Sequence, residues 1–378
     1  MRILQIGKFY DPVKGGMETA LRELSEGLAD RGHNIWVAVS GDSWRLEEEN
    51  PHPRVHLMRL PTYGKIRGIP LTDWRPLEDL LSVGLDVAHV HLPNPLGLKA
   101  LAKLKVPKVA TIHATTVNHP FLSPLYDAHL RRSLEQMDQI IFTSTELRRQ
   151  VVQTWESLTH PGRVIPLGLK CDWWRALPRV STDLRGDLLF VGRLVPYKGL
   201  GVLLRAVHKS VAKPRLVIVG DGPEKGRLIK LSHELGIDHQ VIFAGHIEEQ
   251  ELHRIYMNSR VVVLPSLNGA EAFGLSMVEG LASGRPLICS DLPTGVRGVN
   301  LHGETGLRVP PNDVGALSNA IDRVLGEPIL YGQMSRNARR HYESHFTRET
   351  MVDRHLDLYQ EVCGLRTDKI SAPLHIQP

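Results

Sequence analysis

The sequence predicts an α/β protein made of two doubly wound parallel-sheet domains in tandem. Short β-branched runs alternate with amphipathic stretches, the pattern of βαβ units. That alternation breaks once, at a segment rich in turn residues, and then restarts. The length of 378 residues is about twice a typical domain. A hydrophobic fraction of 42% with 23% charged residues fills two ordinary cores and excludes global disorder.

The elements follow in order. Residues 2–6 read as a strand ending at Gly7, and a helix from about 17 to 30 places Leu21, Leu24 and Leu28 on one face before Gly32 stops it. Strands are predicted at 35–39, 55–60, 86–90, 108–112 and 139–143. Residues 166–183 hold Pro166, Gly168, Pro178 and the Trp173-Trp174 pair, and read as a linker. After it come strand 187–191, a helix from about 199, strand 215–219, helix 224–235, strand 240–243, helix 248–257 and strand 261–264. A helix from about 275, a strand at 286–290 and a helix from about 313 complete the second half. The predicted division is 1–168, 169–347 and 348–378. The last part comprises a helix at 348–364 and a loose tail beyond Thr367. Ligands of such folds bind where the C-terminal ends of the strands meet the cleft, so residues just after strands are the candidates for chemistry.

Composition narrows the function classes. Cys171, Cys289 and Cys363 are far apart and form no CxxC, which argues against a disulfide scaffold or a zinc site and fits a reducing compartment. No apolar run approaches the ~20 residues that span a bilayer, and the first residues are too short a run for a signal peptide. A cytoplasmic protein is expected. The net charge of +5 is spread out: residues 1–170 hold 21 basic and 18 acidic side chains. No basic stripe interleaved with aromatics marks a nucleic-acid binder. Small basic groups (Lys99, Lys103, Lys105 and Lys108, then Arg131-Arg132 and Arg148-Arg149) read first as solvated surface. Peripheral docking on anionic headgroups at the inner membrane is the alternative.

Several residues are placed to do chemistry. Gly15-Gly16 precede the first helix, where amides can approach a phosphate, although Gly-Gly is also an ordinary turn. The dinucleotide pattern GxGxxG is absent there. Gly220-Asp221-Gly222 has its next glycine at Gly226, one residue late, which disfavours a nicotinamide dehydrogenase. Arg193 and Lys198 lie in one strand-to-helix loop and suit a diphosphate. Glu271 to Glu279 is the most informative stretch. Glu271 falls in a loop after a buried strand, and the amides of Phe273, Gly274, Leu275 and Ser276 fall at a helix entrance. Those amides can receive phosphate oxygens while Glu271 accepts from sugar hydroxyls. Glu279 can accept both hydroxyls of a ribose, but Ser276-x-x-Glu279 is also a capping box. His113 ends the strand 108–112. His246 follows another strand, and its neighbourhood can contact a nucleotide base.

The Gly15-Gly16 loop, Val-Gly-Arg193-Leu with Lys198-Gly, the Val-Gly-Asp221-Gly-Pro turn and Glu271-x7-Glu279 stand in the order found in the family 4 retaining glycosyltransferases. The sequence resembles that family over roughly residues 1 to 360. The resemblance implies the GT-B fold, with a final helix crossing back to the N-terminal domain. It implies a nucleotide-sugar donor bound mainly by the C-terminal domain and a glycan or polyprenyl-diphosphate-linked acceptor over the N-terminal one. It assigns the diphosphate to Arg193, Lys198 and the Gly16 amide, the hexose to Glu271, the ribose to Glu279, and a place beside the transferred sugar to His113. The stretch 290–307 resembles bacterial mannosyl- and D-rhamnosyltransferases of O-antigen and exopolysaccharide assembly, which commonly use GDP sugars; UDP sugars are the alternative. No cofactor is expected. No Asp-x-Asp occurs in the chain, so no metal is expected to clamp the diphosphate. Three other readings stay open: a GT-B epimerase or phosphorylase, a non-catalytic sugar-nucleotide sensor, and a lipid-docked scaffold.

Overall fold

The computed structural model describes residues 1–66, 68–114, 130–154, 162–173 and 186–365. The first half is an eight-stranded sheet with the order β10-β9-β8-β7-β1-β2-β4-β3. Its strands are β1 (Arg2–Ile6), β2 (Asn34–Ser40), β3 (Glu47–His52), β4 (Val55–Leu60), β7 (Val87–Leu92), β8 (Lys108–Ile112), β9 (Gln139–Phe142) and β10 (Arg163–Val164). Only β3 runs antiparallel to its neighbour. A small separate hairpin, β5 (Thr62–Ile66) with β6 (Ile69–Thr72), follows β4. Helices α1 (Gly16–Asp30), α2 (Pro95–Ala102) and α3 (Thr145–Thr154) connect the parallel strands.

The second half is a six-stranded, wholly parallel sheet in the order β13-β12-β11-β14-β15-β16. Its strands are β11 (Leu188–Val191), β12 (Leu216–Val219), β13 (Val241–Gly245), β14 (Val261–Leu264), β15 (Leu287–Ser290) and β16 (Gly306–Val309). Between them run α4 (Leu200–Lys209), α5 (Lys225–Glu234), α6 (Glu249–Asn258), α7 (Leu275–Ala282) and the short α8 (Val296–Val299). The helices α9 (Val314–Gly326), α10 (Pro328–His345) and α11 (Arg348–Val362) end the chain. β11, β12, β14 and β15 are almost wholly buried apolar runs, as a sheet covered on both faces requires.

Each sheet reverses direction of growth once. In the first sheet the reversal lies between β1 and β7, and in the second between β11 and β14. The loops that leave those strands flank a crevice, which is where doubly wound sheets bind ligands.

Helix α11 lies on the N-terminal half, against α1. A Cβ on Gly27 would stand 2.5 Å from Val352 Cγ2, so glycine there lets the two helices touch. Arg348 adds ion pairs to Asp30 at 2.8 Å and Glu26 at 4.0 Å. Trp173, at the junction of the halves, stacks on His253 with ring centroids 4.3 Å apart. Trp174, Pro178 and the tail beyond Thr367 lie outside the described residues. Strands β3, β5, β6, β10 and β16 and helices α2, α3, α8 and α10 are additions to the elements placed from the sequence. Helix α10 escapes a periodicity reading because only Met334, Ala338 and Tyr342 of its 18 residues are buried.

Candidate donor site at the facing helix ends

The loop after β11 carries Arg193 and Lys198. Arg193 is exposed, while Lys198 closes the turn Pro196–Lys198 and leads into Gly199, the left-handed residue (φ 70°) before α4. A Cβ on Gly199 would overlap the Pro265 carbonyl oxygen at 2.1 Å. Only glycine therefore lets this loop seat against the one that leaves β14. That close seating brings Lys198 to Glu271, 73 residues away in sequence. Their Nζ and Oε2 atoms stand 2.7 Å apart, and the side chains are 12% and 8% exposed. Ser266 Oγ donates to the same carboxylate at 2.9 Å. The two residues expected to face separate parts of a ligand thus face each other.

Gly274 precedes α7 with φ 83° and serves as its N-cap without a side-chain bond. The amides of Met277 and Val278 donate to its carbonyl. Those of Phe273, Gly274, Leu275 and Ser276 take no backbone carbonyl among the described residues. They form a compact set of donors at the positive end of the helix. The Phe273 side chain points away into the core, edge-on to Phe346 at 6.0 Å, so only its amide can serve a ligand.

Because Gly274 starts the helix, Ser276 lies inside its first turn and the alternative capping box does not form. Glu279 instead accepts from Tyr256 Oη at 2.6 Å. Desolvation pushes the Glu279 carboxyl up to about 7, while the Tyr256 bond pulls the other way. Tyr256 also reaches the Ser276 carbonyl at 3.1 Å. When Glu279 is protonated, its O–H can donate to Tyr256 while Tyr256 donates to Ser276.

Across the crevice, Gly15 caps α1, and Gly16 meets α7 directly. A Cβ on Gly16 would find only Leu275 Cδ1, at 3.8 Å. The N-termini of α1 and α7 therefore face each other, with Arg193 beside them. Glu18, in the first turn of α1, feels both Lys8 and Arg193, although burial raises its carboxyl overall. His246 is exposed, with Nε2 3.4 Å from Lys14 Nζ across the same crevice. His113 is 5% exposed beneath α1 and α11. Burial lowers it to about 3, and His91 holds its Nε2 at 2.9 Å.

The structure therefore gathers Gly15, Gly16, Arg193, Lys198, Glu271, Glu279 and the amides of 273–276 around one crevice, with His246 at its rim and His113 behind its N-terminal wall. Sequence reasoning missed Ser266, Tyr256 and Glu18. Ser266 could have been found from its position two residues after a buried strand. Glu18 could have been found from its place in the first turn after Gly15-Gly16. Tyr256 gives no sequence signal. Of the basic groups, Lys103 pairs with Glu78 at 3.7 Å and Arg131 with Glu135 at 3.6 Å. Among the described residues no group of three or more metal-ligating side chains occurs, and no helix is long and apolar enough to cross a membrane.

Two parallel-sheet domains with phosphate-ready helix ends facing one crevice define the GT-B class of glycosyltransferases. The chain belongs to glycosyltransferase family 4: the Glycosyltransferase Family 4 description matches residues 14–173, and Glycosyl transferases group 1 matches 182–341. It is 31% identical to the D-rhamnosyltransferase WbpZ of Pseudomonas aeruginosa, over 92% of each chain. It is 30% identical to the O-antigen chain mannosyltransferase C of Escherichia coli, over 95% of this chain and 98% of that protein. Among solved structures, sucrose-phosphate synthase from Thermosynechococcus elongatus shares the fold with a TM-score of 0.81. That match has 23% identity and covers 97% of this chain and all of the other.

Proposed function

We propose that the chain is a retaining hexosyltransferase of cell-surface polysaccharide biosynthesis. It transfers mannose or a related sugar from a GDP-linked donor to a glycan on a lipid diphosphate. The observation that carries this reading is the buried Lys198–Glu271 pair, set between the Arg193 loop and the open amides of α7. A donor entering there gives each partner a better contact: the diphosphate for Lys198 and the hexose hydroxyls for Glu271. The relatives that transfer D-rhamnose and O-antigen mannose support the sugar class and the kind of acceptor.

In this reading Arg193, Lys198, the Gly16 amide and the α7 amides offset the charge that grows on the leaving diphosphate. Ser266 holds Glu271 toward the sugar, and Glu279 accepts from the ribose. His113 supports the N-terminal wall beside the sugar, and the base lies toward His246. A glycosidase-like double displacement needs a carboxylate nucleophile about 5 Å from its acid partner, across the anomeric carbon. Glu271 already has two partners that hold it as a hydrogen-bond acceptor. The family resemblance instead supports attack from the face the diphosphate leaves, with the diphosphate taking the acceptor's proton. The charges on Arg193 and Lys198 stand in for a metal, so transfer persists in EDTA. Contact with the cytoplasmic face of the membrane is through the acceptor's lipid.

A thermal-shift screen of GDP-, UDP- and ADP-sugars tests the donor. A ligand at a hundred times its Kd stabilises the folded chain by about 2.7 kcal/mol. GDP-mannose is expected to raise the melting temperature most, with or without EDTA. A shift with UDP-sugars and none with GDP-sugars would overturn the assignment of the base.

A further inference from the structure

The face of the N-terminal sheet beneath α1 and α11 carries a continuous chain of buried polar side chains. Gln5 of β1, His89 and His91 of β7, and Thr111 and His113 at the end of β8 come onto one face because they alternate along neighbouring strands. Tyr359 of α11 closes over them, and none of these side chains is more than 5% exposed.

The chain runs atom by atom. His113 Nε2 lies 2.9 Å from His91 Nδ1, and His91 Nε2 lies 2.9 Å from Gln5 Oε1. Gln5 Nε2 donates to Tyr359 Oη at 3.0 Å, which lies 2.6 Å from His89 Nδ1. His89 Nε2 ends the chain at Thr111 Oγ1, 2.7 Å away. Burial lowers all three imidazoles, helped in each by neighbouring histidines. Each ring is therefore neutral, with one donating and one accepting nitrogen.

Only two proton orders satisfy such a chain. In the first, the Gln5 amide donates to Tyr359 and its oxygen accepts from His91 Nε2–H. His91 Nδ1 then accepts from His113 Nε2–H, which leaves His113 Nδ1 bare. Tyr359 donates to His89 Nδ1, and His89 Nε2–H donates to Thr111. In the second, the amide is turned over, every bond reverses, and His113 carries its proton on Nδ1.

His113 Nδ1 decides between them, because it is buried with no hydrogen-bond partner among the described residues. An orphaned buried N–H is rarer in folded proteins than an under-used acceptor.

We propose that Gln5 is a positioning residue: clamped by Tyr359 of the final helix, its amide fixes His113 as the Nε2–H tautomer with a bare Nδ1. The last helix thereby sets the hydrogen-bonding state of a side chain behind the donor crevice. The functional consequence rests on the transferase reading of His113, whereas the tautomer assignment does not.

The test is long-range proton–nitrogen NMR of the ring-15N-histidine full chain without donor, with His113 assigned by the signal lost in His113→Gln. Wild type is expected to show His113 protonated on Nε2 alone. Gln5→Glu keeps an oxygen facing His91 and should keep that tautomer. Gln5→Leu removes the acceptor for His91 Nε2–H, so His91 and His113 should switch or exchange tautomers. In parallel, kcat should fall roughly ten-fold in Gln5→Leu with KM for donor held, and Gln5→Glu should restore most of it. A wild-type proton on His113 Nδ1 would overturn the assignment even if no variant folds. Full kcat in a folded Gln5→Leu would overturn the positioning role. The predicted spectra with no transfer by wild type would instead sink the transferase reading and leave the tautomer standing.

Discussion

Replacing Glu271 with alanine removes one half of an ion pair whose side chains are 12% and 8% exposed. The Lys198 ammonium would be left in a dry site without its 2.7 Å partner, and Ser266 would lose its acceptor. Breaking a buried pair in this way costs about 3–5 kcal/mol, because the remaining charge is uncompensated. In a domain of 150–250 residues each kcal/mol lowers the melting temperature by roughly 2–4 °C, so a drop on the order of 6–20 °C is expected. Glu271→Gln keeps an oxygen for both donors and should lose less than half as much. Both variants should lose kcat by roughly 100- to 1000-fold if Glu271 holds the sugar in the transition state. The decisive control is Lys198→Met with Glu271→Met, which removes both charges. It should recover most of the stability and none of the activity. Differential scanning fluorimetry beside a coupled assay for released nucleoside diphosphate reads both quantities. An alanine variant with unchanged melting and unchanged kcat would refute the pairing and the role together.

Arg193→Ala should separate function from stability in the opposite sense. The side chain is exposed, so melting should move by less than about 0.5 kcal/mol-equivalent, while kcat/KM for donor falls at least ten-fold with the lost charge-assisted contact. Glu279 gives a pH signature. Folding raises its carboxyl from 4.5 to about 7, so the folded chain binds a proton there that the unfolded chain does not. Stability therefore falls as pH rises through that window, by at most about 3 kcal/mol above it. Urea titrations of Glu279→Gln against wild type should show the variant ahead at pH 8 and level at pH 4. On the proposed ribose role the ionised carboxylate is the stronger acceptor, so KM for donor in wild type should drop from pH 6 to pH 8, and in the glutamine variant should stay flat.

The positions of several residues around this crevice were legible in the sequence. In doubly wound sheets the residues just past strand ends face the ligand, and Arg193, Lys198 and Glu271 stand in such places. Their mutual contact was not legible. It depends on β11 pairing with β14 across two intervening strands, a neighbour relation that no local pattern encodes. The capping-box alternative for Glu279 fails for a local reason: Gly274 takes a left-handed conformation and starts α7 before Ser276 can cap it. That freed Glu279 for Tyr256, whose place on α6 gives no hint of it. The histidines at 89 and 91 were missed, because their meaning depends on α11, which returns from the far end of the chain to set Tyr359 over them. Hairpin β5–β6 was missed because it is short, mostly exposed and interrupted by Gly64 and Pro70.

The most direct test of the account is the anomeric configuration of the product. Proton NMR can follow the transfer of mannose from an α-linked GDP donor to a lipid-diphosphate glycan acceptor. The proposed roles, with Arg193, Lys198 and the α7 amides on the leaving diphosphate and Glu271 on the sugar, predict an α-linked product from the first turnover. A β-linked product would contradict same-face transfer and with it the roles given to Glu271, Lys198 and Arg193.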